Sequence, residues 1–170
     1  MNDIVQVHHV DASLREAVIA LAVQPGQDIF VGTVADSLAD VAVCSGSEAL
    51  ALLEKGEVVG YVRIDRTAAA LAADALAVDA VALRSFLIDA RHQGRGLGTH
   101  ALGAIAGYVA GRHPDRKRIL LTVNVRNEGA IRAYARAGYV DSGTLYHVGS
   151  AGPQRVLWSP LPPSNPPETS

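Results

Sequence analysis

Over residues 3–10, Val5 and Val7 fall on one side of the chain and Ile4, Gln6 and His8 on the other. This is the period of a strand with one face the more apolar. The period then lengthens. Leu14, Val18 and Leu21 recur at helical spacing behind Ser13-Leu14-Arg15-Glu16, which has the form of a capping box, and Pro25-Gly26 stops them. A second helix is predicted over residues 33–43. Residues 49–53 and 57–65 read as two strands around Lys55-Gly56, a hairpin that makes this part of the sheet antiparallel. Residues 67–79 are rich in alanine, with Leu71, Leu76 and Val78, and suit either a short helix or a mobile connection.

The second half repeats strand and helix in turn. Residues 81–89 predict a strand, residues 91–98 a glycine-rich loop, and the helix opened by that loop reaches to about Arg112. A strand over 118–125 follows, then a helix over 128–137 with Gly138 as its C-cap, then a terminal hairpin of 144–148 with 155–158. Five prolines between Pro160 and Pro167 predict an extended or unordered end. The domain expected is therefore residues 1–160, with 161–170 as a flexible tail.

Length and composition narrow the class. A chain of 170 residues that is 49% hydrophobic can fill one core without metal or disulfides. The balance of 15 Lys and Arg against 17 Asp and Glu gives no field to gather nucleic acid or anionic lipid. Cys44 is the only cysteine, which rules out an intrachain disulfide and a thiolate zinc cage and fits a reducing cytoplasm. It is expected as buried filler. The start lacks the basic and apolar regions of a secretion signal, and the uncharged stretch from Gly96 to Gly111 is shorter than the ~20 apolar residues a span needs. No membrane partner is expected.

Chemistry concentrates at Gln93-Gly94-Arg95-Gly96-Leu97-Gly98-Thr99. Glycines at every second position before a helix let backbone N–H groups approach a ligand, and the helix N-terminus favours an anion there. The P-loop pattern fails because Leu97-Gly98-Thr99 has no lysine. The dinucleotide fingerprint fits only loosely, through Gly96, Gly98 and Ala101, and lacks the acidic residue after the next strand, where Asn124 and Val125 stand. A connection that merely packs strand on helix is the plain alternative.

Gln93, Gly96 and Gly98 match the Gln/Arg-x-x-Gly-x-Gly/Ala loop of the GNAT superfamily of N-acetyltransferases, which the chain resembles. A second block, residues 121–139, is similar to that family's following strand and helix in Asn127, Ala130, Tyr134 and Gly138-Tyr139, with Tyr139 in place of the commoner Phe. Asn127, Ile131 and Tyr134 share one helix face. The resemblance covers nearly the whole chain, although its front third matches by element order more than by motif. It implies an α/β three-layer fold whose mixed, mostly antiparallel sheet is splayed in the middle with helices on both faces. It also implies acetyl-CoA as co-substrate, with Phe86, Leu87 and Ile88 along the pantetheine arm and Gly94, Arg95, Gly96, Leu97, Gly98 and Thr99 around the pyrophosphate. Gln93, Asn127 and Ala130 complete the cofactor-binding set, and no metal is implied.

Acetyl transfer to an amine needs a neutral amine, a stabilised oxyanion and a proton for the departing thiolate. A phenol of pKa about 10 can protonate a thiolate whose thiol has pKa about 8.5. The resemblance gives that role of general acid to Tyr134, and the oxyanion to a backbone N–H near Leu87 and Ile88. The glutamate that many relatives carry on the strand before the loop is replaced here by Arg84 and Ser85, so no base is assigned. Asp89 is expected as a structural residue, and His92 and His100 as surface histidines. Arg91 or Arg95 is expected near the phosphates. The turn with Arg116, Lys117 and Arg118 is expected to be solvated.

The acceptor is expected to be the primary amine of a small molecule, a di- or polyamine before other amines. The segments 30–40 and 86–98 resemble bacterial diamine and spermidine acetyltransferases, and Asp28, Asp36 and Asp40 could attract a polycation. Other acceptor classes implied by the resemblance are peptides, amino acids and antibiotics. A non-catalytic acyl-CoA sensor and a protein-docking module are the rivals from other classes, and a homodimer is left open.

Overall fold

The computed structural model describes residues 4–72, 75–148 and 150–164. In chain order these form β1 (Gln6–His9), α1 (Arg15–Ile19), α2 (Val34–Val43), β2 (Ser47–Glu54), β3 (Glu57–Asp65) and β4 (Ala80–Ile88). A 3-10 turn (Ala90–His92) leads to α3 (Leu97–Arg112), β5 (Arg118–Asn124), α4 (Glu128–Arg136), β6 (Val140–Tyr146) and β7 (Gln154–Pro160).

The seven strands make one sheet in the order β1-β2-β3-β4-β5-β7-β6, antiparallel except where β4 meets β5. That parallel pair is short. Ala80, Val81 and Ala82 face Arg118, Ile119 and Leu120, after which β4 follows β3 and β5 follows β7. The sheet therefore opens into a V between the predicted neighbours. On one face α3 and α4 pack on Val81, Leu83, Ile119 and Leu121, and on the other α1 and α2 pack on Ala51, Leu53, Tyr61 and Leu87.

Local chemistry explains the boundaries. Thr33 caps α2 by accepting the Asp36 N–H at 3.1 Å. The capping box at Ser13 does not form, because Asp11 Oδ1 already accepts from the Ser13 and Leu14 N–H groups at 2.9 and 3.1 Å. α1 is a single short turn that ends at Ile19, before the Leu21 that the helical spacing included. Gly138, with φ of +95°, closes α4 in a Schellman motif, with Gly138 and Tyr139 donating to the Ala135 and Tyr134 carbonyls at 3.1 and 3.0 Å.

Of the two readings left open for 67–79, the described residues take the connection: they form turns, pinned where buried Ala68 and Leu71 pack on Ala80, Ala82, Leu120 and Val156, while residues 73 and 74 lie outside the description. Two other expectations change. The last hairpin starts earlier, since β6 begins at Val140. Cys44 is exposed, because it terminates α2 beyond the apolar face of that helix. Residues 1–3, of which residue 3 opens the first predicted strand, residue 149 and residues 165–170 of the proline-rich end are outside the described residues, and Leu161 N–H donates to the Lys117 carbonyl at 2.9 Å. No helix among the described residues is long and apolar enough to cross a membrane.

Candidate active site

The V is a cleft of about 790 Å³. One wall is β4 and the loop after it, the other is β5 with α4, and the connection between α1 and α2 and the ends of β6 and β7 cover one end. Phe86, Leu87, Ile88, Gln93, Gly94, Gly96, Leu97, Gly98, Thr99, Asn127, Ala130 and Tyr134 all line it.

Gly94 and Gly96 have φ of +81° and +77°, the left-handed region that glycine enters without strain, and this turn presents the first N–H groups of α3 to the cleft. No side chain caps that helix end. A side-chain Cβ at Gly98 would meet no atom within 4 Å, so the space in front of the N–H groups is open. The arrangement is an anion cradle with the positive end of a 16-residue helix behind it. Leu97 contributes only backbone, since its side chain is in the core.

Two of the expected contacts have other work. Gln93 Nε2 donates to the Ile88 carbonyl at 2.9 Å and to Gln27 Oε1 at 3.1 Å, tying the loop to the strand before it. Arg95 does not line the cleft, because Glu54 holds its guanidinium at 2.9 Å. Arg91 is likewise held, by Asp89 at 2.7 Å. The basic turn at Arg116 to Arg118 is at the far end of α3, about 24 Å from the cradle at 1.5 Å per residue. Nor is that turn simply solvated, as Arg116 Nε is buried and Arg118 lies over Trp158.

Asp89 is buried at the end of β4, as a structural residue should be, and accepts the Ala22 N–H at 3.0 Å. Burial alone would raise its pKa, but the Ala22 N–H, Arg91 and His92 outweigh that and hold it below the usual carboxylate value. His92 is not a surface histidine. Its ring is 13% exposed, faces the cleft, and sits 3.3 Å from Asp89.

On α4, Asn127 Oδ1 accepts the Ala130 N–H at 3.3 Å, which caps the helix and leaves the side-chain amide toward the cleft. Tyr134 follows two turns later. Its ring contacts Phe86 with centroids 6.3 Å apart and Tyr139 at 5.6 Å, and no described residue hydrogen-bonds its hydroxyl. Burial pushes the Tyr134 phenol up from its ordinary value.

Sequence reasoning missed much of the closed end of the cleft, where Gln27, Thr122, Tyr146 and Gln154 come from four separate segments and meet only in the fold. It also missed that Ser85 adopts φ of +52° within a bulge, where the register passes from Tyr61 facing Leu87 to Arg63 facing Arg84. Nothing in Arg84-Ser85-Phe86 marks that bend. Asp28, Asp36 and Asp40 do not line the cleft, and no carboxylate does among the described residues. Thr33 engages Asp36 at 2.7 Å and Arg63 engages Asp40 at 3.2 Å.

An open sheet parted between two parallel strands, with an anion cradle at one wall and a phenol on the other, defines the fold class of CoA-dependent acyltransferases. The family model for the acetyltransferase (GNAT) family matches residues 17–139, and the chain belongs to that family. Among solved structures it is similar to AAC(6')-Ib in complex with acetyl-CoA, at TM-score 0.75 and 18% identity over 93% of this chain and 94% of that one. Spermidine N-acetyltransferase from Vibrio cholerae, in complex with CoA and spermine, gives 0.68 and 13% over 94% and 97%. The GNAT domain of S. lividans PAT gives 0.66 and 25% over 91% and 89%. No curated protein matches in sequence.

Proposed function

We propose that the protein transfers the acetyl group of acetyl-CoA directly to a primary amine of a small molecule, with Tyr134 as general acid. The observation that carries this is one cleft bounded by the uncapped start of α3 and by the Tyr134 hydroxyl. Acetyl-CoA fits the residues present, because its pyrophosphate needs backbone donors without a Cβ in front of them, and its thioester supplies the acyl group. Its binding by CoA-dependent relatives is consistent with this.

Each residue then has a task. The N–H groups from Gly94 to Thr99 bind the phosphates, and the free edge of β4 at Phe86, Leu87 and Ile88 pairs with the pantetheine arm. The Ile88 carbonyl is turned to Gln93, and in an extended strand N–H and C=O of one residue leave on the same side. The Ile88 N–H is thus the donor for the oxyanion. Asn127 and Ala130 border the arm from α4. Burial keeps Tyr134 protonated at neutral pH, so the phenol reaches the departing thiolate with its proton in place. With no carboxylate in the described lining, the amine gives its proton to water, helped by desolvation as it enters. The resemblance of residues 30–40 to polyamine acetyltransferases supports a small amine, while Asp28, Asp36 and Asp40 stand outside the cleft lining and Asp40 pairs with Arg63.

The test is calorimetric titration of acetyl-CoA together with thiol release across a panel of amines. Binding without release for every amine would favour a sensor, and no binding would remove the acetyltransfer reading.

A further inference from the structure

Arg84 is the one charged side chain that the described part of β4 offers to the acceptor end of the cleft. It is 41% exposed and only its Nη1 is engaged, by Asp65 Oδ2 at 3.2 Å. Asp65 is shared: its other oxygen takes Arg63 Nε at 2.8 Å and the Ser47 hydroxyl at 2.6 Å, while Arg63 also engages Asp40 at 3.2 Å. Arg84 is thus held at one nitrogen only, and its Nε and Nη2 edge has no partner among the described residues.

Asp65 fixes the position of Arg84, and the left-handed Ser85 follows it directly. Arg84 stands two residues before Phe86, whose ring touches Tyr134. Of the other polar side chains in the described lining, Arg136 is a second cation, and those of Gln27, Thr122, Tyr146 and Gln154 are neutral. An arginine fork with no opposing carboxylate in the described lining repels a second ammonium and matches a carboxylate in a bidentate pair. The same positive charge lowers the pKa of an amine bound nearby, which suits a site with no general base.

We infer that the acceptor is an amino carboxylate, a small primary amine carrying a carboxylate a few bonds away, and that Arg84 binds that carboxylate. This deepens the acetyltransfer reading and rests on it. The reaction balances as amine plus thioester giving amide plus thiol, with the proton of the amine lost to solvent and that of the thiol supplied by Tyr134.

The experiment compares matched acceptors in thiol-release assays with the whole chain. α-Amino acids are set against their carboxamides, and 4-aminobutyrate against 4-aminobutyramide and putrescine. The amine of an amino acid amide is the less basic, so intrinsic reactivity runs against the expected order. For the best amino carboxylate, kcat/KM should exceed that of its amide and of the matched diamine at least tenfold. Arg84→Gln should collapse that ratio toward one by raising KM for the carboxylate, and Arg84→Lys should keep part of it. The wild-type comparison stands even where a variant folds poorly. Amides or diamines equal to or better than carboxylates, or no turnover of any amino carboxylate, would overturn the inference. Acetyl-CoA binding and turnover of another amine in that case would leave acetyltransfer intact, whereas loss of acetyl-CoA binding would remove both.

Discussion

Asp89, at the end of β4, accepts the backbone N–H of Ala22 at 3.0 Å across 67 residues of chain. That bond fastens the start of the α1–α2 connection to the strand entering the cradle. Replacing Asp89 by Ala leaves a buried N–H unpaired and removes a charged acceptor, so a loss of about 2–3 kcal/mol in urea unfolding is expected. Because the folded pKa of Asp89 is lowered, its stabilisation is complete above the ordinary carboxylate range, about 4, and is lost as pH falls through the lower folded value. The stability difference between wild type and Asp89→Asn should therefore shrink as pH falls below about 4, and a constant difference down to pH 2 would count against it.

Gly96 and Gly98 should separate in their effects. Gly96→Ala must hold a left-handed φ and is expected to cost about 1–2 kcal/mol in stability. Gly98→Ala meets no neighbour and sits in the first turn of α3, so the fold should gain up to about 1 kcal/mol while acetyl-CoA affinity falls at least tenfold. Thermal melts beside calorimetric titrations check both. Unchanged affinity in Gly98→Ala would mean that the cradle holds no phosphate.

Tyr134→Phe removes a hydroxyl that hydrogen-bonds no described residue, so packing should survive. Under the general-acid role kcat should fall by about 10²–10⁴ with acetyl-CoA affinity nearly intact. Full activity in the variant would move the proton donor elsewhere.

The pH profile follows from the same residue. Burial raises the Tyr134 pKa, so the acid stays protonated through the neutral and mildly alkaline range. With no general base, kcat/KM should climb with pH as the acceptor amine deprotonates, and show no alkaline decline below about pH 10. A bell centred near neutrality would point to a titrating base.

Tyr139→Phe should stabilise. The Tyr139 hydroxyl is buried without a partner among the described residues, so removing it should add about 1 kcal/mol to unfolding free energy. A loss of stability on urea denaturation would reveal a bonded hydroxyl.

Much of the fold was legible because its signals are local. The Lys55-Gly56 hairpin and Gly138 each act within a few residues, and the glycine loop and Asn127–Tyr134 block carry their geometry in short spacings. Where two local partners competed the reading failed, as when Asp11 rather than Ser13 took the free N–H groups before α1. That Arg63, distant in sequence, pairs with Asp40 of α2 was not legible in the sequence.

The sequence by itself determined the element order, the left-handed turn before α3 and the placing of a phenol on the same α4 face as Asn127, since backbone preference and helical period need no distant partner. The tertiary structure alone decided that β4 and β5 part after three residue pairs, that β7 inserts between β5 and β6, and that Arg84 shares one carboxylate with buried Arg63. Those features depend on which strands and charges meet across long stretches of chain, and such meetings are set by the burial of whole apolar faces rather than by any short run of residues.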